Sequence, residues 1–478
     1  MNKNHNMALT KNKKPHAILV PYPLQGHIIP AVHLATKLAS TGFTITFINT
    51  EFIHHEITKS NPTNHSDIFA EARESGLDVR YATVSDGFPV VFDRSLNHDQ
   101  HMEGVLHVLS AHVDELVGRL VVSSEPKVSI LIADTFFVWT SFIAKKYKLI
   151  NVSFWTEPAL VLNIYYHLDL LISHGHFGSQ DNRRDTIDYV PGISTIKPKD
   201  LMSYLQPTIQ DTSTVVHRII FKAFKDVKHA DCILINSVQE LENETIFTLN
   251  QKQPIFAIGP LFPIGAINNK VSTSMWVESD CSKWLDEKPH GSVLYISFGS
   301  YAHTSKEIIH GIANGLLESM VNFIWVIRPD IVSSCDLNPL PDGFEEKSLG
   351  RGLVVTWCDQ TKVLSHQSVG GFLTHCGWNS ILESIWYVIP LLCFPLLTDQ
   401  FTNRKLVVDD LKIGINLCDD EVVSKVKVTK NINRLMRENL AEDLRAEIKK
   451  VKNILANAWC ENGSSQRNFN EFVRIVQN

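Results

Sequence analysis

The chain has 478 residues, 44% hydrophobic and 20% charged, which suits two folded domains of roughly 200 residues each and excludes a disordered polymer. A formal net charge of -6 gives no electrostatic reason to expect nucleic acid as a partner, and the basic cluster at residues 11–14 reads as part of a solvated, flexible tail over residues 1–14. No stretch reaches the roughly 18 uninterrupted apolar residues of a membrane span, and the richest, Ile385 to Leu397, is broken by Pro390 and Pro395.

In chain order, His16 to Pro21 is a short apolar strand followed by the loop Pro23 to His27. Pro30 is placed to open a helix, with Val32, Leu34, Ala35 and Leu38 at helical spacing and Gly42 to end it. Phe43 to Ile48 supplies a second strand, and strand–helix–strand of this length implies a right-handed parallel crossover. Val128 to Ala133 is a strand running into Asp134, and Cys232 to Asn236 is another. After Pro254 the texture turns to proline, glycine and polar residues, so 254–275 reads as a linker between a first domain at 1–253 and a second at 276–455. A second series of strands follows at Val293–Phe298, Phe323–Ile327, Leu353–Val355, Gly371–Thr374 and Leu391–Phe394, and the tail from Thr429 to Gln477 is helical in pattern. Two facing doubly wound α/β domains are the expected architecture.

The N-terminus lacks the apolar core of a secretory signal, so the expected location is the cytoplasm, with sequons such as those at Asn64 and Asn243 unused. The eight cysteines show neither CxxC pairing nor metal-ligand spacing, which fits reduced thiols and no metal site.

The most informative stretch runs from Trp357 to Gln400. Thr374 to Ser380 lies between a strand end and a helix start, where Asn379 or Ser380 can cap the helix and its free N–H groups make an anion site. Gly377 permits close approach to a phosphate, and Glu383, one turn on, can accept bonds from ribose hydroxyls. An ordinary capped helix after a buried strand fits the same local pattern.

Trp357-Cys-Asp-Gln360, Leu364-Ser-His366, Gly371 to Ser380, Glu383, Pro390, Pro395 and Asp399-Gln400, spanning 44 residues, resemble the signature box of plant family 1 UDP-glycosyltransferases. Flanking segments, including Val293 to Ser300 and Phe323 to Arg328, are similar to family landmarks, so the resemblance covers nearly the whole chain from His16. It implies the two-domain GT-B fold, with the last helix (456–478) packing back on the first domain. It also implies an inverting, metal-independent enzyme that needs no cofactor and uses a UDP-sugar as donor co-substrate, expected as a monomer.

Carried over position by position, the resemblance puts Trp357 on the uracil, with Cys358 and Gln360 beside base and ribose and Glu383 on the ribose hydroxyls. His375, Gly377, Asn379, Ser380 and Ser300 would surround the diphosphate, while Trp378, Asp399, Gln400 and Thr156 would contact the sugar. Glutamine at the end of the box is associated with glucose donors. Three positions depart from the family pattern. Cys358-Asp359 replaces the usual Ala-Pro and adds a charge near the base, and Val388 replaces glycine, which costs stability if a positive φ is required there.

His27 lies just before a helix at the carboxyl edge of a strand, where open α/β sheets bind ligands and where a helix N-terminus disfavours an imidazolium. In Pro21 to His27 it resembles the family's catalytic histidine, and Asp134 the aspartate that fixes its tautomer. A helix cap is the other reading of Asp134. No Asp-x-Asp, Gly-x-Gly-x-x-Gly or Gly-x-Ser-x-Gly is present, against metal-dependent transferase, nicotinamide and serine-hydrolase chemistry. The remaining rival is a catalytically silent binding protein of the same fold. The expected acceptor is a small lipophilic molecule held by the first domain, with Phe88, Phe92, Phe136, Phe137 and Leu162 as candidate lining residues.

Overall fold

Strands buried on both faces need near-continuous apolar sequence, and the strands named above have it. The computed structural model describes residues 14–61, 67–178, 183–206, 211–262, 273–332, 338–418 and 423–477. The sequon at Asn64, most of the N-terminal tail and residues 263–272 of the expected linker lie outside the described residues.

The first sheet contains β1 (His16–Val20), β2 (Thr44–Thr50), β3 (Val79–Val84), β4 (Val128–Asp134), β5 (Ile150–Trp155), β6 (Cys232–Ile235) and β7 (Ile255–Ala257), all parallel, in the order β3-β2-β1-β4-β5-β6-β7. The second contains β8 (Val293–Ser297), β9 (Asn322–Val326), β10 (Gly352–Val355), β11 (Val369–Thr374), β12 (Leu391–Cys393) and β13 (Gly414–Asn416), also parallel, in the order β10-β9-β8-β11-β12-β13. In each sheet the order reverses beside its first strand, which opens a crevice at the carboxyl ends of β1 and β4, and of β8 and β11.

Four elements have sequences that hide them. β3 carries Arg80 and Tyr81 on a half-exposed edge, so its alternation is weak. β5 buries two polar residues, of which Ser153 pairs its hydroxyl with that of Thr135 at 2.7 Å. β7 and β13 are three residues each.

The first helix needs a correction. It runs Gln25–Ser40 with Pro30 inside it, so Pro30 does not open it and His27 sits in its first turn. Pro30 has no N–H to give the Gly26 carbonyl, and that carbonyl instead accepts from Asn379 Nδ2 of the second sheet's box at 2.8 Å. Gly42, at φ +95°, follows the helix end as expected.

The tail forms three helices, Lys425–Arg437, Leu440–Ala458 and Ser464–Gln477. The last packs Phe469, Phe472 and Val476 into the core under the first sheet, and Asn468 Nδ2 donates to the Ala257 carbonyl of β7 at 2.9 Å.

Candidate active site

The two crevices face each other across one cleft of about 850 Å³. On the first sheet's side, β1 and β4 deliver His27 and Asp134 to the same point. His27 Nδ1 lies 2.7 Å from Asp134 Oδ2, and the carboxylate is 2% exposed against 13% for the ring. An ionised carboxylate only accepts, so Nδ1 carries the proton and Nε2 is left as the basic nitrogen. Thr156 Oγ1 is 3.1 Å from the same Nδ1. Asp134 Oδ1 also accepts the Phe136 N–H at 3.0 Å, so the carboxylate turns its own loop as well as holding the histidine. The helix-cap reading of Asp134 fails, because the next helix begins only at Thr140.

The second sheet's side is built from the loops after β8, β10, β11 and β12. The helix after β11 spans Trp378–Tyr387, and its cap is Gly377, without a side-chain capping bond. Asn379 and Ser380 therefore do not cap it: the former reaches Gly26, and the latter's Oγ accepts from Gln360 Nε2 at 3.0 Å. Gly299 (φ +71°) and Gly377 flank the His375 ring so tightly that a Cβ at either would fall 2.5 or 2.6 Å from Nε2. Burial, with Arg328 nearby, lowers His375 to about 4, so the ring is a neutral donor. Its Nδ1 is buried without a partner. Buried Arg328 donates to the Gly299 and Ala302 carbonyls, which fixes the loop carrying Ser300.

Trp357 lines the cleft half-exposed, leaving a ring face for stacking, with Cys358 buried beside it. Asp359 caps the helix Gln360–Ser365 through the Lys362 N–H, which gives that departure from the family pattern a local structural role. Gln360 Nε2 donates to Glu383 Oε2 at 2.7 Å. Burial pushes Glu383 up to about 7, Asp359 adding to the effect and Gln360 opposing it.

At the far end of the box, Thr398 adopts φ +54° immediately before Asp399 and Gln400. Asp399 is buried, which raises its carboxyl, and it accepts from Thr398 Oγ1 and Asn403 Nδ2. Gln400 Oε1 accepts the Leu396 and Leu397 N–H groups at 2.9 Å each. The Trp378 indole N–H is spent on the Asn236 carbonyl at 2.7 Å, so this side chain offers the cleft its ring and not its donor. Val388 sits at φ +60°, the left-handed region that its branched Cβ disfavours.

The acceptor wall differs from expectation. Of the five candidates only Phe136 lines the cleft. Phe88 and Phe92 stack on each other at 4.4 Å, and Phe137 and Leu162 are core. Tyr22, Tyr165, Tyr204, Ile219 and Tyr301 line it instead, and of these Tyr22 lies inside a segment singled out from the sequence, Pro21 to His27. Glu157, also missed, follows Thr156 directly and could have been noticed as a carboxylate at a strand end.

Two parallel sheets facing one cleft, with a histidine–aspartate pair on one side and a helix start free of side-chain capping on the other, define a doubly wound protein that takes its ligand between the sheets. Residues 227–443 match the family model described as UDP-glucoronosyl and UDP-glucosyl transferase. The chain is 59% identical over 475 residues to UDP-glycosyltransferase 86A1 of Arabidopsis thaliana, covering 99% of this chain and 96% of that protein. Among solved structures it is similar to Medicago truncatula UGT71G1 complexed with UDP-glucose, at 25% identity and TM-score 0.80, covering 98% of this chain and 99% of that one. It is also similar to Phytolacca americana UGT2 complexed with UDP-2fluoro-glucose and pterostilbene, at 26% identity and TM-score 0.75, covering 97% and 99%. The chain belongs to the plant family 1 UDP-glycosyltransferases, enzymes of GT-B fold that use a UDP-sugar as donor.

Proposed function

We propose that this enzyme transfers glucose from UDP-glucose, with inversion, to a hydroxyl or carboxyl group of a small lipophilic acceptor. The observation that carries the reading is the His27–Asp134 contact at 2.7 Å, facing the donor box across one cleft. His27 Nε2 takes the proton of an acceptor hydroxyl while that oxygen attacks the anomeric carbon, and Asp134 stabilises the imidazolium that forms. The bond to the UDP oxygen breaks on the opposite face of the sugar. The departing diphosphate is met by the N-terminus of the helix Trp378–Tyr387, with His375, Asn379, Ser380 and Ser300 as neutral donors. Trp357 stacks on the uracil with Cys358 and Gln360 beside it, Glu383 holds the ribose, and Thr156, Trp378, Asp399 and Gln400 contact the sugar.

Glucose is supported by Gln400 and by the UDP-glucose complex of the Medicago truncatula neighbour, and a lipophilic acceptor by the aromatic wall and by the pterostilbene complex of the Phytolacca americana one. A cytoplasmic monomer is part of the proposal, supported by cysteines that are free thiols among the described residues. The test is UDP release from UDP-glucose with a mixed panel of phenols, alcohols and acids. Tight UDP binding without release for any acceptor would sink the reading.

A further inference from the structure

One carboxyl group in the cleft has no structural employment. Glu157 lies where β5 leaves the sheet, after Thr156 and before Pro158 and the helix Ala159–Tyr166. A carboxylate at such a place would ordinarily cap the helix, but Glu242 does that work. Its two oxygens accept the Ala159 and Leu160 N–H groups at 2.9 and 2.7 Å. Glu157 instead lines the cleft, and its Oε2 is buried without a hydrogen-bond partner. An unsatisfied buried carboxyl oxygen destabilises the unliganded protein, which is tolerated where a ligand supplies the missing bond. Burial, with Asp399 and then Asp134 close by, pushes the group well above the usual carboxylate range, so it can donate as well as accept. Its neighbours identify the ligand: Asp399 belongs to the loop that closes the donor box, and Thr156 stands beside His27.

Resting on the UDP-sugar reading above, we propose that Glu157 is a donor-sugar ligand, hydrogen-bonding a hexose hydroxyl from the first sheet's side while Asp399 and Gln400 hold the ring from the other. The same placement selects the sugar's charge. Among the described residues the one lysine or arginine lining the cleft is Lys362, which lies 3.4 Å from Asp359 at the base end. A hexuronic acid would bring a carboxylate close to Asp134 in a buried part of the cleft with no cation to meet it, so the transferred sugar is an uncharged hexose.

The test is calorimetric titration of the full chain with UDP, UDP-glucose and UDP-glucuronate. The wild type should bind UDP-glucose at least about tenfold more tightly than UDP-glucuronate. Glu157→Ala should weaken UDP-glucose about fivefold, one hydrogen bond's worth, and leave UDP unchanged. Glu157→Gln, whose amide also donates and accepts, should keep UDP-glucose near the wild-type affinity. Either variant should raise the melting temperature of the unliganded protein while, for Glu157→Ala, the further rise on adding UDP-glucose shrinks. An unchanged ratio of UDP-glucose to UDP affinity in Glu157→Ala overturns the proposal, as does a wild type that binds UDP-glucuronate as tightly as UDP-glucose. A wild type that bound neither UDP nor UDP-glucose would overturn the UDP-sugar reading itself, which the first two outcomes leave standing.

Discussion

The two sides of the cleft share a strand order and differ in chemistry. In both sheets the third, second and first strands precede the fourth, fifth and sixth, and the functional loops leave the same carboxyl edge. The first sheet carries a histidine hydrogen-bonded to a buried carboxylate and a mostly aromatic wall, whereas the second carries glycines, neutral donors and a free helix start. On the proposed function one topology serves bond-making on one side and phosphate-holding on the other, because the loops and not the sheet decide what faces the ligand.

If that division is right, changes to the His27–Asp134 pair should cut turnover and changes to the second side's box should cut donor affinity. The largest effect is expected for His27→Ala, with kcat falling by about 10²–10⁴ and UDP affinity kept. Asp134→Asn should approach it by leaving the wrong tautomer. A loss of UDP affinity as large as the loss of turnover in His27→Ala would break the comparison.

Glu383→Gln should raise the donor KM about tenfold with a smaller change in kcat. Because Glu383 lies at about 7 in the unliganded protein, UDP affinity should weaken as pH falls through that value and the ribose acceptor becomes protonated. The stability sign is opposite: a folded value above the unfolded one of about 4.3 means this group's contribution is present at low pH and is lost as pH rises through about 7. Glu383→Gln should flatten both profiles, measured by calorimetry and thermal melts from pH 5 to 9.

Besides the proposed sugar contacts of Thr156 and Glu157, the division has a seam at Ser203, which sharpens it. Ser203, next to the cleft residue Tyr204, gives its N–H to the Thr398 carbonyl and takes the Thr398 N–H on its Oγ, both at 2.9 Å. The first sheet's side therefore holds the strained turn that aims Asp399 and Gln400. Ser203→Ala should cost UDP-glucose about threefold in affinity and UDP nothing, with Ser203→Thr restoring it; equal loss for both nucleotides would assign Ser203 to general domain packing. The smallest effect belongs to Val388→Gly. Relief of the left-handed valine should add about 1 kcal/mol of stability, read as a higher melting temperature, with kinetics unchanged.

How much of this was legible in the sequence depended on how local each feature is. The box from Trp357 to Gln400 is contiguous, so its resemblance to the family's signature box, read at fixed offsets, implies the donor class and the positions that face it. Val388 was legible for the same reason, since a helix end that wants glycine is a local fact. His27 and Asp134 stood out because each ends an apolar strand, although their 2.7 Å contact belongs to the pairing of β1 with β4. The cap of the box helix was misread because Asn379 and Ser380 have capping chemistry, yet both are drawn away by partners distant in sequence.

By itself, then, the sequence determined the doubly wound class and the family's signature box, and it placed His27 and Asp134 at strand ends, all of which rest on short-range periodicity or fixed offsets. Only the tertiary structure decided that Phe88 and Phe137 stay out of the cleft while Tyr165 and Tyr204 line it, that Glu242 relieves Glu157 of capping, and that Ser203 clamps Thr398. Those facts depend on which side of a buried aromatic or carboxylate meets the cleft, and packing between residues far apart in the chain sets that side.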